Sequence, residues 1–597
     1  MRTKAILAIV AVVALAAGSD CQRQATRLSS FGLEPRTMTV PAAMGPLIPD
    51  GAVALVYMAS IDEAERSLLE LRPESPSDSS RIDLAGTISE RLQIPVESID
   101  RKRPVALVVS LVDLGRPIPM PTVILPVRNE REALEQLGAR AGKPEPLGNR
   151  GWVGVPLLAG YERGTGTPPI AKDLQAGVFA VRLQTDRILE VAQPYIDAAL
   201  KSILAKAAAE ETGAHGDSTK LRAMQARTAA ALAEQVLDLL RASETLDCGI
   251  RIREGNLAVA YKMATTPESR NVAATAERAQ GLAELARCLP DDYPVMGLVA
   301  MEFAKPLAFY KNLYSGVLDE TMREVPEPFR DYTRSMMEQS VELYQLTDDQ
   351  MFHAMRFSDS GTEIIQVFAT QNAAKFVEEC RKIFGFELLE SAGLGQVEPE
   401  EPVVVDGVEI QGLQVHLDIE KLMKLHGTTA ETAPDSARAA AFTKYFVKAM
   451  LGGETMIVRF AAVGDKVLVV THPERGVIEG CIAALKRSSG GVPPSLRTVQ
   501  RLAKDPLCFW ARADIRDLLL PMLEAAPPDS SGGEEFDLRA ELAAMEALPV
   551  TAYMTAGHQA YQGAFNMDVE SFVTFAKLLG KDPASPDPEE EPGDSEP

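Results

Sequence analysis

The chain has 597 residues, of which 46% are hydrophobic and 24% are charged, so it carries enough apolar surface for several globular cores. Its formal net charge is -23, and this surplus of acids argues against a protein that binds nucleic acid through clustered lysine and arginine. The six cysteines lie far apart and form no CxxC pair, which excludes a disulfide-rich scaffold and predicts that most of the thiols are free and buried.

Residues 1–17 have the pattern of a secretion signal. Arg2 and Lys4 precede an unbroken apolar run from Ala5 to Ala17, which is shorter than the about 20 residues that a membrane helix needs. We expect cleavage near residues 16–18 and a linker over 18–46, with a retained N-terminal anchor as the alternative. No later stretch is long enough to span a membrane, so the mature chain is expected to be exported and periplasmic or envelope-associated.

Cys21 raises the question of a lipid anchor, because it follows the signal closely. Bacterial lipoproteins carry a leucine and two small residues before such a cysteine, whereas Gly18, Ser19 and Asp20 precede this one. Asp20 departs from that pattern. Lipidation at Cys21 is therefore kept as the minority prediction.

The rest of the chain repeats one order of elements: an apolar strand, a helix, a two-stranded hairpin and a second helix. A three-stranded sheet is marginal alone, so we expect neighbouring units to complete each other's cores. The predicted fold is α+β, with tandem βαββα units forming mostly antiparallel sheets covered by helices. Two lobes are expected, one from units 1 and 2 and one from units 3 and 4, which unit 5 completes. The units span 47–143, 150–288, 289–392, 402–490 and 495–580.

Unit 4 shows the pattern most plainly. Its first strand covers Gly412 to Leu417, and Thr455 to Ala462 and Lys466 to Thr471 form its hairpin around Gly464-Asp465, which is a two-residue turn signal. Its helices are predicted from Asp418 to His426, from 437 to 451 and from 473 to 486.

Three further segments have distinctive compositions. The alanine-rich stretch from Tyr195 to Ala242 in unit 2 predicts a long helical hairpin, followed after the β-hairpin by a helix over 267–287. Unit 1 places strands at 105–112 and 123–127 across a proline-rich connection. The proline-rich acidic tail, 581–597, is predicted to be disordered, with calcium or partner binding as the alternative.

Acidic residues recur just after predicted strands, where a carboxylate can accept backbone N–H bonds at a helix start. We interpret them as helix caps rather than as catalytic groups. Asn129, with Glu132 three residues later, is a cap of the same kind. The recurring acids are Asp62, Asp186, Asp418, Asp514 and Asp568.

No catalytic, cofactor-binding or metal-binding constellation stands out in the sequence. The GxSxG, SxxK, Walker, GxGxxG and HExxH patterns do not occur in a usable context. His416 and Asp418 alternate along a strand and give a weak metal hint. Two helices over 307–318 and 332–346 carry aromatic and methionine side chains, for which core packing is preferred over a lipid or peptide groove. These side chains are Phe309, Tyr310, Tyr314, Met336, Met337 and Tyr344.

Short motifs resemble a family of exported bacterial proteins of unknown function with duplicated α+β halves. They are Leu47-Ile48-Pro49-Asp50 before the first strand, its echo Leu289-Pro290-Asp291 before unit 3, and the strand Val123 to Val127 leading to Asn129 and an alanine- and leucine-rich helix. The resemblance implies export and duplication and supplies no catalytic residues.

The sequence thus predicts a non-enzymatic envelope protein without a cofactor, acting as a scaffold or interaction surface for another envelope protein. The first alternative is a periplasmic carrier that holds an apolar ligand between two lobes, which predicts a large closed apolar cavity. The second is a hydrolase with a dispersed site, which needs a nucleophile within hydrogen-bond reach of a histidine or an acid.

Overall fold

A computed structural model shows a mixed α+β protein dominated by antiparallel strands. The predicted signal, Cys21, and the acidic tail lie outside the residues that it describes. Those residues are 34, 36–70, 82–113, 117–138, 146–158, 163–212, 237–238, 240–253, 255–288, 293–303, 327–358, 361–385, 390, 393, 395–418, 455–487, 491–524, 543 and 549–569.

The strands alternate with helices along much of the chain. The strands are β1 (Thr37–Met38), β2 (Ala52–Met58), β3 (Val105–Asp113), β4 (Pro117–Pro126), β5 (Leu147–Asn149), β6 (Trp152–Pro156), β7 (Leu174–Gln175), β8 (Phe179–Gln184), β9 (Ser243–Arg253), β10 (Asn256–Thr265), β11 (Val295–Ala300), β12 (Thr347–Ser358), β13 (Gly361–Thr370), β14 (Gly395–Pro399), β15 (Val403–Val405), β16 (Val408–Leu417), β17 (Thr455–Val463), β18 (Lys466–Thr471), β19 (Leu507–Asp514), β20 (Pro549–Gly557) and β21 (Ala560–Asp568).

The helices pack against both faces of the strands. They are α1 (Ile61–Glu70), α2 (Leu84–Leu92), α3 (Glu130–Gly138), α4 (Thr185–Thr212), α5 (Asn271–Arg278), α6 (Glu327–Tyr344), α7 (Ala373–Gly385), α8 (Arg475–Lys486), α9 (Pro494–Leu502) and α10 (Ile515–Glu524), with 3-10 turns at Gly45–Leu47, Val96–Ser98, Pro169–Ala171 and Leu282–Cys288.

Apart from the small β1–β7 pair, the described strands form one continuous antiparallel sheet. Following the ladders from edge to edge, the order is β5-β6-β4-β3-β2-β8-β9-β10-β21-β20-β19-β11-β12-β13-β18-β17-β16, and β14 and β15 both pair with the outer side of β16. The C-terminal strands β19–β21 therefore lie in the middle of the sheet.

The two faces of the sheet carry separate cores, because side chains alternate along each strand while direct cross-strand partners share a face. We call face B the face that carries Leu55, Ala180 and Trp510; the opposite face is face A. On face B, 3-10 helix Leu282–Cys288 and helices α5, α8 and α9 cover a core around Trp510. On face A, α6 and α7 cover a core that includes Phe368 and Phe376.

The predicted hairpin around Gly464 is present. Val463 on β17 pairs with Lys466 on β18, and Gly464 has a positive φ of 64° that the missing side chain permits. The helices predicted between this unit's first strand and its hairpin lie outside the described residues. The final helix of this unit begins at Arg475, two residues after the predicted start.

Two local predictions need correction. The helix predicted over 267–287 is two pieces, α5 and a 3-10 helix, because Gly281 between them has a φ of 76° that breaks the right-handed helix. The proline-rich connection of unit 1 is strand: β4 already starts at Pro117 and pairs with β3. Residues 117–120 pair on one side only, where prolines on alternate residues need not donate to a ladder.

Candidate functional site

The histidines in the described ranges do not gather into a metal site. No group of three or more histidine, cysteine, aspartate or glutamate side chains is placed to hold a metal ion among the residues described. Nδ1 of His416 lies 2.9 Å from Oγ1 of Thr455, and Nε2 of His558 lies 3.3 Å from Oδ1 of Asp505 at the surface. The weak metal hint at His416 and Asp418 therefore finds no third ligand in this part of the chain.

Three of the described cysteines, Cys248, Cys380 and Cys508, are not activated nucleophiles. Burial raises the pKa of the Cys508 thiol to about 12, and it also raises the pKa of Cys248 and Cys380. A thiol needs a lowered pKa to react as thiolate. The Thr455 hydroxyl has a histidine neighbour, but that pair supplies only two of the three groups of a nucleophile, base and orienting acid.

The prediction that strand-end residues cap helices is confirmed at two positions. Oδ1 of Asp514 accepts hydrogen bonds from the backbone N–H groups of Arg516 (3.2 Å) and Asp517 (3.4 Å) at the start of α10. Oδ1 of Asn129 accepts one from the N–H of Glu132 (3.3 Å) before α3. These groups satisfy helix donors that otherwise have no intrahelical partner.

The same prediction is wrong for Asp62. This carboxylate lies inside the first turn of α1 and accepts a hydrogen bond from Nε of Arg101 at 2.8 Å. The capping oxygen belongs to Ser60, whose Oγ accepts from the N–H of Glu63 at 3.1 Å. The helix thus starts earlier than predicted, so that serine rather than aspartate takes the cap position.

A buried arginine–aspartate pair lies on face B. Arg182 on β8 and Asp247 on β9 are direct cross-strand partners, with side chains only 9% and 1% exposed. Arg182 donates from Nε and Nη2 to the two carboxylate oxygens, the second bond measuring 2.6 Å. It also donates to the backbone carbonyls of Pro169, Lys172 and Asp173. Asp247 balances the charge of the guanidinium, and the five hydrogen bonds satisfy its donors, as burial of a charge requires.

A second buried arginine is satisfied in the same manner near the far edge of the sheet. Arg459 on β17, 4% exposed, donates from Nε and Nη2 to the two carboxylate oxygens of Glu400 at 2.7 and 2.8 Å. Nη1 donates to the carbonyl of His472 at 2.8 Å, and Nη2 reaches that of Pro473 at 3.2 Å. This arrangement ties the segment before β15 to the end of β18.

The carboxylate of Glu363 joins a neighbouring cluster. Nη2 of Arg356 donates to Oε2 of Glu363 at 2.7 Å, and Nε2 of His472 lies 3.7 Å from the same oxygen. Burial lowers the pKa of His472, whose Nδ1 accepts a hydrogen bond from the N–H of Glu474 at 3.0 Å. An imidazole that accepts at Nδ1 is neutral, so this histidine is a structural acceptor.

Arg512 on β19 differs from both arginines above. It lies on face B, is 3% exposed, and forms no hydrogen bond or ion pair with any residue that the structure describes; its Nε is fully buried. Its direct cross-strand partner on β20 is Thr551, whose buried hydroxyl is also unsatisfied in the described structure. Two residues earlier on the same face, the indole N–H of Trp510 has no acceptor among the described residues. Three buried polar groups on face B thus make no hydrogen bond within the described structure, and Oδ2 of Asp514, a buried acceptor two residues further along β19, makes none to them.

The aromatic side chain of Tyr344 packs beside the face A core, in agreement with the preferred core packing. The ring of Tyr344 at the end of α6 lies 5.4 Å from that of Phe303 and 6.2 Å from that of Phe368, between centroids. The helix predicted over 307–318 lies outside the described residues, and so do the side chains of Met336 and Met337.

One cavity of about 590 Å³ opens at the surface beside the face B core. Its lining is mixed: apolar residues include Leu282, Val492 and Leu507, and polar residues include Glu284, Arg287, Gln500 and Asp505. Its volume falls in the range of small-molecule pockets, but its open mouth differs from the closed cavity that the carrier hypothesis predicts.

Sequence reasoning missed all three buried arginines. Arg182 and Arg459 are the single charges of mostly apolar strands, Arg512 shares its strand with Asp514, and the alternation of side chains places each arginine on a buried face. That signal was available in Phe179–Gln184 and in Leu507–Asp514. The partners were not, because Arg182 and Asp247 are 65 residues apart in sequence.

No family model, curated protein or solved structure matches this chain. In the described segments, none of the helices combines the length and the hydropathy needed to cross a bilayer. The fold and the buried charges are therefore the basis on which a function can be proposed.

Proposed function

We propose that the chain is an exported, non-enzymatic envelope protein whose five βαββα units form a scaffold for another envelope protein. The observation that carries the proposal is the ladder order. Three adjacent strands of each proposed unit follow the spatial order 1, 2, 5, 3, 4 along one sheet. Strand β6, which falls within the bounds of unit 2, pairs with β4 of unit 1. First strands meet first strands at β2–β8 and β11–β19, and last strands meet at β10–β21 and β13–β18.

Both edges of this long sheet are formed by short strands, which suits a scaffold because the sheet is not extended by further copies. One edge is the three-residue β5, and the other is formed by the short β14 and β15. Short edge strands limit pairing with further copies. The resemblance to exported proteins with duplicated halves supports the same view, as does the signal pattern of residues 1–17.

An exposed apolar pair supplies a site for the partner. Val56 on β2 and Leu107 on β3 are direct cross-strand partners on face A, and they are 37% and 36% exposed. Ala54, Val109 and Val181 beside them are half-buried. Charged residues are depleted in the centre of protein interfaces, as they are in this patch.

The test is cross-linking in the native envelope followed by mass spectrometry of the purified chain. We expect one specific partner protein cross-linked near the patch, a mature N-terminus near residues 16–18, and loss of that partner in the Val56→Asp, Leu107→Asp double variant. Leu69→Asp, at an exposed leucine on α1, is the matched control and should retain the partner. A monomer without partners, or equal loss in the control, contradicts the scaffold.

The same purification tests the carrier alternative. An apolar molecule that copurifies in place of a protein partner would favour the carrier. Turnover of an ester or amide substrate would favour the hydrolase.

A further inference from the structure

Arg512 and Arg182 occupy corresponding places in the fold. Each lies three residues before the first residue of a helix, Ile515 of α10 or Thr185 of α4. Each projects from face B of a strand that pairs with the first strand of a hairpin. Arg182 faces Asp247 across the ladder, whereas Arg512 faces Thr551.

The neighbouring strand shows the same correspondence. Leu55 on β2 is the partner of Arg182 on its other side, and Met296 on β11 is the partner of Arg512. Both arginines thus have an apolar neighbour on one side. On the other side only Arg182 has a counter-ion.

An arginine cannot escape burial by losing its proton. A buried charge without a partner is costly, and the carboxylate closest along the same strand does not serve Arg512. Oδ1 of Asp514 accepts hydrogen bonds from the N–H groups of Arg516 and Asp517, and its Oδ2, although buried on the same face, accepts none from Arg512.

We infer that Arg512, Thr551 and Trp510 bind the carboxylate group of a small molecule, which takes the place that Asp247 fills beside Arg182. The free Nε edge of Arg512 matches a carboxylate, which accepts two parallel N–H bonds as Asp247 does. The hydroxyl of Thr551 and the indole N–H of Trp510 supply two further donors. Face B already carries the buried carboxylate of Asp514 two residues from Arg512, so a monoanionic carboxylate suits the site better than a dianionic phosphate, which would add a second negative charge.

The surroundings of the site are apolar. Trp510 is 0% exposed and packs in the face B core with Leu298 and Tyr553. A hydrogen bond between charged groups is stronger in such a medium than in water. We therefore expect the site to distinguish ligands by the charge and the shape of the group that binds Arg512.

Tryptophan fluorescence can report binding directly, because the chain has only two tryptophans, Trp152 and Trp510. The experiment uses the full mature chain with Trp152→Phe, so that Trp510 alone emits. Acetate, octanoate and inorganic phosphate are titrated at constant ionic strength set with chloride, and octanol serves as the uncharged counterpart of octanoate. We expect acetate or octanoate to change the emission of Trp510 and to raise the melting temperature by linkage, while octanol and phosphate change neither.

Variants at the two central residues separate the site from a nonspecific effect. Arg512→Met should weaken carboxylate binding roughly tenfold to a hundredfold, the worth of hydrogen bonds to a charged group. Thr551→Asp places an internal carboxylate at the position equivalent to Asp247 and should abolish the response, whereas Thr551→Asn should retain part of it. Absence of a carboxylate response, a response to phosphate alone, or an equal response in Arg512→Met overturns the inference.

Discussion

Arg182 and Arg512 occupy corresponding positions in the fold, but the residues that face them across the ladder differ. Beside Arg182 the chain supplies Asp247 and three backbone carbonyls, so this buried cation is satisfied internally. Beside Arg512 it supplies Thr551, and the guanidinium has no acceptor among the described residues. The difference teaches that the partner across the ladder, rather than the arginine itself, distinguishes a structural pair from a candidate binding site.

The largest loss of stability is expected when Asp247, the counter-ion of Arg182, loses its charge. Asp247→Asn keeps the shape of the side chain but leaves Arg182 charged and without its carboxylate. We expect a loss of about 3 kcal/mol in the free energy of unfolding, measured by urea denaturation. Asp197→Asn, at a 45% exposed partner of Arg241, should lose no more than about 1 kcal/mol. Equal losses in the two variants would show that the buried pair has no special role.

A smaller loss is expected for Arg459, which retains two carbonyl acceptors. Glu400→Gln removes the charge that receives Nε and Nη2 of Arg459, and should cost about 2 kcal/mol by the same measurement. Glu135→Gln, in an exposed pair with Arg131 on α3, is the control and should change stability by less than about 0.5 kcal/mol. A cost in Glu400→Gln as small as that of the control would contradict this reading of the pair.

His353 on β12 shows how a buried group behaves when it can shed its charge. Burial lowers its pKa from 6.5 to about 4, while the unfolded chain titrates near the ordinary value. The unfolded state therefore takes up the proton first, so stability is full above pH 6.5 and declines as the pH falls towards 4. We expect this histidine to account for about 3 kcal/mol of that decline.

The measurement is the free energy of unfolding of wild type and His353→Gln at several pH values. The unfolding free energy of wild type minus that of His353→Gln should decrease as the pH is lowered from 6.5 to 4. Parallel curves would mean that His353 titrates normally in the folded chain.

The smallest change in stability is expected when a carboxylate is placed opposite Arg512. Thr551→Asp should stabilise the ligand-free chain by about 1 kcal/mol at neutral pH, because the new charge pairs with Arg512 and replaces an unsatisfied hydroxyl. Thr551→Asn controls for shape and should give no comparable gain. A loss of stability in Thr551→Asp as large as that in Asp247→Asn would show that Arg512 already has a partner.

Local features of this fold could be predicted from the sequence, because they depend on neighbouring residues. The alternation in Thr455–Val463 and the Gly464-Asp465 turn were enough to locate the β17–β18 hairpin. The cap at Asp514 followed from its place between a strand and a helix. The predicted α+β class with mostly antiparallel pairing agrees with the described ladders.

Non-local features could not be predicted. Nothing in the local pattern of β19 indicates that it pairs with β11, over 200 residues earlier in the numbering. Arg512 in Leu507–Asp514 was visible in the sequence, but whether a carboxylate or a threonine faces it depends on the register with β20. The candidate site therefore required the ladder as well as the residues.

The most direct test of the difference between the two arginines is the unfolding free energy of Arg182→Met and Arg512→Met, measured side by side without added carboxylate. Methionine keeps much of the apolar stem in both. Arg182→Met should be destabilised by about 3 kcal/mol, since Asp247 is left buried and unpaired, while Arg512→Met should be as stable as wild type or more stable. A comparable loss in both variants would contradict the claim that Arg512 lacks an internal counter-ion.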